Sequence, residues 1–266
     1  MSASGLVRAR FTTGDGAEIS YRIRSGRDPL VLIHGLGCDA SMWDGVVAAF
    51  PSDQGLVVPE LRGHGESTLG FKLPSVDQWA EDVVGLLREK GIKAPAIAGL
   101  SLGGYTALGI GAAYPDFARA FAFISTSAAP DDDAGRGRRA AAIGTIRREG
   151  WRRFAAALMP SLLNAKGPQF ETHRKHLMMM FEHAGDSGLP PTLMALAARP
   201  DRQALLARIR VPSIVVVGSV DVLTPPDRAR ELTSGIPDAR LTVLDDVAHM
   251  SAMEAPVAVA DLLGTL

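Results

Sequence analysis

The chain has 266 residues, 47% of them hydrophobic and 21% charged, which suits one large globular domain with a sizeable core. Its formal net charge of −1 offers no electrostatic attraction to nucleic acid or an anionic membrane, and no stretch reaches the roughly 18 uninterrupted apolar residues of a membrane span. The single cysteine, Cys38, excludes an intrachain disulfide and a cysteine-rich metal site.

In chain order, Met1 to Thr13 lacks the apolar run of a signal peptide, so a cytoplasmic location is expected. Phe11 to Arg24 reads as two short strands around the turn Gly14-Asp15-Gly16. Leu30 to Ile33 is a short apolar run ending at His34-Gly35, as a buried strand would. Trp43 to Phe50 has a helical pattern, and Gly55 to Val58 is the next strand. Val76, Trp79, Val83, Leu86 and Leu87 fall on one helical face, with Gly91 as the stop. Ala94 to Gly99 is strand-like, Ser101 to Ala113 helical, and Ala120 to Ile124 strand-like. Strands separated by helices of this length are parallel with crossover connections, and their near-continuous apolar character fits a sheet covered on both faces. The fold class is α/β.

The alternation stops near residue 128 and resumes after 200 with a strand over Ser213 to Val217, a helix over Asp227 to Ser234, a strand over Arg240 to Leu244 and a helix over Pro256 to Leu263. The intervening segment is rich in Ala, Arg and Met and helical in pattern. Residues 1–128 and 201–266 are therefore expected to form the α/β core, with 129–200 as an inserted helical cap.

Gly99-Leu100-Ser101-Leu102-Gly103 joins a strand to a helix, the context that gives G-x-S-x-G its meaning. A nucleophile on so sharp a turn brings neighbouring backbones together, and only glycine two residues before and after it avoids a clash. A serine hydroxyl needs a base at neutral pH, and His249, just after a strand, is the candidate among six histidines. Asp221, after the strand Ser213 to Val217, is the carboxylate expected to orient that base. Asp131, Asp132, Asp133, Asp227, Asp245 and Asp246 are rival acids, the run of three reading as a solvated helix start. Backbone donors for an oxyanion are expected at Leu102, after the nucleophile, and at Leu36 in the loop His34-Gly35-Leu36-Gly37-Cys38. Cys38 there is read as a small apolar wall residue and not as a thiol nucleophile.

With these pieces placed, the sequence resembles the α/β-hydrolase superfamily over essentially its whole length. The matching segments are His34 to Gly37 before Trp43, Arg62-Gly63-His64-Gly65-Glu66-Ser67, Gly99 to Gly104, Gly218 to Asp221 with Thr224-Pro225-Pro226, and Ala248-His249. The likeness is to the capped esterase, enol-lactonase and C–C hydrolase branch. It implies an eight-stranded, mostly parallel sheet flanked by helices, with an antiparallel first hairpin. It also implies catalysis by Ser101, Asp221 and His249 with no metal or organic cofactor. Glu60 stands where such proteins usually carry Asp, in a segment that braces the structure. Serine at 101 argues against the branches that use an aspartate nucleophile.

Arg136, Arg138, Arg139, Arg147, Arg148, Arg152 and Arg153 are read as a solvated face of the insertion, ahead of a site for an acidic substrate. His173, His176 and His183 suggest a metal only weakly. Leu177 to Phe181, with three methionines, fits a flexible pocket wall or ordinary packing. Trp43, Tyr105 and Leu223 are candidate pocket residues by analogy with the fold, and Met179 is a candidate from the methionine-rich stretch. The expected activity is hydrolysis of a small or medium hydrophobic carboxylic ester through an acyl-enzyme on Ser101. The same residues also suit lactone opening, C–C bond hydrolysis or cofactor-free perhydrolysis, and some proteins of this fold bind ligands without catalysis. The partner expected is a small-molecule substrate, with no nucleic acid and no membrane; the oligomeric state is left open.

Overall fold

The computed structural model describes residues 5–266; of the N-terminal segment read for a signal peptide, residues 1–4 lie outside the described residues. Eight strands form one sheet: β1 (Val7–Thr12), β2 (Glu18–Arg24), β3 (Arg27–Ile33), β4 (Gln54–Pro59), β5 (Ala96–Leu100), β6 (Ala120–Ile124), β7 (Ser213–Gly218) and β8 (Ala239–Leu244). Their order across the sheet is β1-β2-β4-β3-β5-β6-β7-β8. The β1–β2 and β2–β4 pairs are antiparallel and every other pair is parallel, so β2 alone runs against the rest.

Side-chain alternation divides the core into two layers. Leu30, Leu32, Leu56, Val58, Ala96 and Ala98 face one cluster; Val31, Ile33, Val57, Ile97, Phe121 and Phe123 face the other. Against the first layer pack α1 (Asp44–Ala49), which follows a 3₁₀ turn over Ala40–Trp43, and α9 (Pro256–Leu263). Against the second pack α2 (Val76–Glu89), α3 (Leu102–Ala113) and α7 (Pro226–Gly235). The face expected for α2 is the buried one, and the Ser75 hydroxyl caps it by accepting from the Gln78 N–H at 3.0 Å. Helix α3 is buried all round, which its Gly- and Ala-rich sequence permits against the central strands.

Between β6 and β7 lie α4 (Asp133–Glu149), α5 (Trp151–Leu162) and α6 (Phe170–Ala197), the last interrupted at Gly185, where φ is 51° and ψ −158°. The side chains of Ile146, Phe154, Leu177, Met180 and Phe181 join the first core layer. The insertion runs close against the turn that follows β4: a Cβ on Gly188 would lie 2.0 Å from the Gly63 carbonyl oxygen, so glycine is required there. A four-residue helix, α8 (Ser251–Glu254), follows the β8 loop. Among the described residues, no helix is long and apolar enough to cross a membrane.

Buried charge in this frame is paired. Arg62, wholly buried, makes two-pronged contacts to Asp82 (2.7 and 2.8 Å) and to Asp15 (2.8 and 3.0 Å). Glu60 braces the structure as expected, accepting from Arg8 and from the Glu66 N–H, each at 2.9 Å.

Candidate active site

Strands β3, β5, β6, β7 and β8 run parallel, so the loops at their carboxyl ends converge on one side of the sheet. Ser101 leaves β5 with φ 56° and ψ −110°, a left-handed backbone that an L-residue adopts at a cost of about 1–3 kcal/mol. The turn is locked around it. Its N–H donates to the Ile124 carbonyl at 2.9 Å, and its carbonyl accepts from Tyr105 N–H and the Thr126 hydroxyl. A Cβ on Gly99 would sit 2.1 Å from the Gly103 oxygen, and one on Gly103 would sit 2.2 Å from the Ile33 oxygen. Glycine at both places is a steric requirement.

The loops after β7 and β8 are stapled together. Ser219 N–H donates to the Leu244 carbonyl, Val220 N–H to the Val247 carbonyl, and Asp246 N–H to the Ser219 hydroxyl. The staples carry Asp221 to His249: Oδ2 of Asp221 lies 2.9 Å from Nδ1 of His249. Asp221 also accepts from the N–H groups of Leu223 and Thr224 and from the Thr224 hydroxyl, at 2.8–2.9 Å. Burial raises its carboxyl toward neutrality; the His249 ring and these donors outweigh burial and hold it below its ordinary value. With Nδ1 tied to Asp221, Nε2 is the ring nitrogen left to accept a proton.

Ser101 and His249 line one cavity of about 350 Å³, together with Gly35, Leu36, Tyr105 and Leu223. Leu102, the first residue of α3, is buried beside Ser101. Among the described residues neither Leu36 nor Leu102 directs its N–H to an acceptor in the chain, as an oxyanion donor requires. The neighbouring His34 is fully buried, donates from Nδ1 to Gly35 O at 2.8 Å and accepts from Leu61 N–H at Nε2. Burial lowers its pKa, and it stands as a neutral brace for the loop. Cys38 is buried in the first core layer, where burial pushes its thiol well above its ordinary pKa.

Two expected pocket residues lie elsewhere. Trp43 is 0% exposed within the first core layer and does not line the cavity, because that layer absorbs so large an apolar ring. Met179 is 64% exposed on α6, whose inward positions are taken by Met180 and Phe181. Of the seven arginines read as a solvated face, Arg136, Arg138, Arg147, Arg148, Arg152 and Arg153 are exposed, and Arg136, Arg152 and Arg153 pair with acids there. Arg139 departs from that reading: it is half-buried, and with Arg138 it also lines the cavity.

Asp132 and Asp133 start α4 as expected, while Asp131 is only 10% exposed and binds Arg139 and Arg199. Asp131 follows the carboxyl end of β6, which was the available signal; Arg199, 68 residues further along, had none. His176 and His183 meet Ser41 and Asp39, each at 2.8 Å.

Residues 30–262 match the profile of the alpha/beta hydrolase family. The 3-oxoadipate enol-lactonase 1 of Acinetobacter baylyi is 27% identical, the match covering 92% of this chain and 91% of that protein. A thermophilic esterase from Thermogutta terrifontis superposes with a TM-score of 0.90 at 27% identity, over 97% of each chain. The enol-lactonase from Burkholderia xenovorans LB400 superposes at 0.88, also 27% identical, over 97% of this chain and 98% of that one. With its mixed eight-stranded sheet and its loops converging at the carboxyl ends of the parallel strands, this chain belongs to the alpha/beta hydrolase family.

Proposed function

We propose that the protein is a serine hydrolase that cleaves a small or medium carboxylic ester by two-step acyl transfer. The observation that carries this reading is one cavity lined by both Ser101 and His249, with His249 anchored at Nδ1 to Asp221. Ser101 Oγ attacks the ester carbonyl carbon while Nε2 of His249 takes the hydroxyl proton. The carbonyl oxygen becomes an oxyanion, held by the N–H groups of Leu36 and Leu102. Collapse of this intermediate expels the alcohol, which receives the proton from His249. Water, deprotonated by the same nitrogen, then attacks the acyl-enzyme, and the acid leaves as Ser101 recovers its proton.

Residues 129–200 serve as a cap over the core formed by 1–128 and 201–266, supplying Phe154, Leu158, Leu162 and Leu193 to the cavity lining. The two enol-lactonases among its relatives support lactone opening as the second reading. A lactone is an internal ester, so the same residues act in the same order.

The test is hydrolysis of p-nitrophenyl esters over a series of acyl lengths, with Ser101→Ala beside the wild type. The expected result is turnover with a length optimum, falling by about 10⁴-fold or more in the variant. Undiminished turnover by the variant would contradict the reading.

A further inference from the structure

Charge is distributed unevenly over the cavity. Leucines, Phe154 and Met250 make part of the lining apolar, while another part carries Arg138, Arg139, Arg199, Arg228, Asp131 and Asp132. Four arginines thus line the same space as two aspartates. Arg228 is satisfied at the surface by Glu231 at 2.9 Å, and Asp132 caps α4 through the Gly135 N–H.

Asp131 is left as the single carboxylate between Arg139, at 2.5 Å, and Arg199, at 2.6 Å. Arg199 is preorganised: its side chain is 8% exposed, its guanidinium stacks over Tyr105 at 4.6 Å, and it donates to the carbonyls of Ala129 and Leu196. Arg138 reaches the cavity from α4 and, among the described residues, has no acidic partner. The guanidinium groups of Arg139 and Arg199 are largely withdrawn from water and share one carboxylate, while Arg138 stays exposed beside them. A wholly apolar ligand would desolvate this charge without a partner, and an anionic one supplies it.

We infer that the cavity takes an ester bearing a second, ionised carboxylate, with the ester carbonyl at Ser101 and the anion at Arg138, Arg139 and Arg199. The inference rests on the serine-hydrolase reading above for the ester and on the arginines alone for the anion. A purely structural reading would have the Arg139–Asp131–Arg199 group only pin the end of α6 to the start of α4. Arg138 takes no part in that pin, so it separates the two.

The experiment compares the mono-p-nitrophenyl ester of adipic acid with p-nitrophenyl hexanoate, which has the same chain without the carboxylate. The wild type is expected to show kcat/KM at least about 10-fold higher for the anionic ester, mainly through KM, with the preference shrinking as salt is raised. The ratio of the two kcat/KM values should fall at least about fivefold in Arg138→Gln. Equal rates for the two esters, or a ratio that Arg138→Gln leaves intact, would overturn the inference.

Calorimetry with adipate on the Ser101→Ala protein supplies a readout free of turnover. Binding that weakens on adding Arg138→Gln supports the anion site, and absence of binding overturns it. If adipate binds while neither ester is hydrolysed by the wild type, the serine-hydrolase reading fails and the anion site stands.

Discussion

Asp221 shows how much chemistry one side chain takes from its neighbours. Its oxygens accept from two backbone N–H groups, one hydroxyl and one imidazole, and together these hold its pKa below the ordinary carboxylate value. A depressed carboxylate stays charged above its lowered pKa, so protonation of Asp221 cannot cause an activity loss between neutral pH and the ordinary carboxylate range. Asp221→Asn keeps the shape, removes the charge and presents an amide to Nδ1. We expect kcat to fall on the order of 10⁴-fold with KM changed little, measured on the optimal p-nitrophenyl ester. A fall of less than tenfold would mean that another acid orients His249.

This residue was legible because strand, turn and acid are close in the chain, as were Ser101 and His249. The pairing of Asp131 with Arg199 was not. Their 2.6 Å contact joins residues on either side of the whole insertion, and local pattern carries no information at that separation. Trp43 misled for a related reason: an aromatic near a functional loop suits a pocket or a core equally, and packing alone decides.

Among the elements, the smallest links the site to the insertion. Helix α8 is too short for a periodic signal, and nothing in the pattern around residues 251–254 marks it. Its Glu254 accepts from Ala248 N–H at 2.7 Å and from Asn164 N–H, just past α5, at 2.6 Å. Asn164 Nδ2 donates to the Asp246 carbonyl, and Met250 N–H donates to the Leu162 carbonyl. The end of α5 and the loop bearing His249 are therefore one hydrogen-bonded unit.

Burial holds the Glu254 carboxyl above its ordinary pKa, against the effect of both donors. Glu254→Ala leaves two inward-facing N–H groups without acceptors and should cost about 1–3 kcal/mol in urea unfolding. It should also lower kcat by misplacing His249, with partial recovery in Glu254→Gln, whose amide oxygen still accepts. Full activity in Glu254→Ala would show that the His249 loop holds its place without this link. Strands β3 to β8 and helix α2, by contrast, were readable to within a few residues because they carry strong apolar patterns, while α4, α5 and α6 were legible only as a helical stretch.

For the whole molecule, the buried histidines set a pH dependence of stability. His64 is fully buried, and burial, reinforced by neighbouring His34, lowers its pKa from the ordinary 6.5 to about 3. The two rings lie 5.1 Å apart, and burial lowers His34 likewise. Below 6.5 the unfolded chain gains protons that the folded chain refuses, so stability is present at neutral pH and is lost as pH falls toward 3. The midpoint of urea unfolding should therefore drop between pH 7 and pH 4.5, and less steeply in His64→Gln. An equal slope in both proteins would show that other groups drive the loss.

The α/β class was legible from the alternation of apolar strands and helices, whereas the order β1-β2-β4-β3-β5-β6-β7-β8 and the lining of the cavity depend on contacts that local pattern does not encode. The central claim remains that Ser101 is the nucleophile. Its most direct test is labelling with a fluorophosphonate, followed by peptide mass mapping. We predict a single phosphonyl adduct on Ser101, absent in Ser101→Ala and strongly slowed in His249→Ala. Ester turnover that persists with Ser101 unlabelled, or an adduct on another residue, would contradict the account.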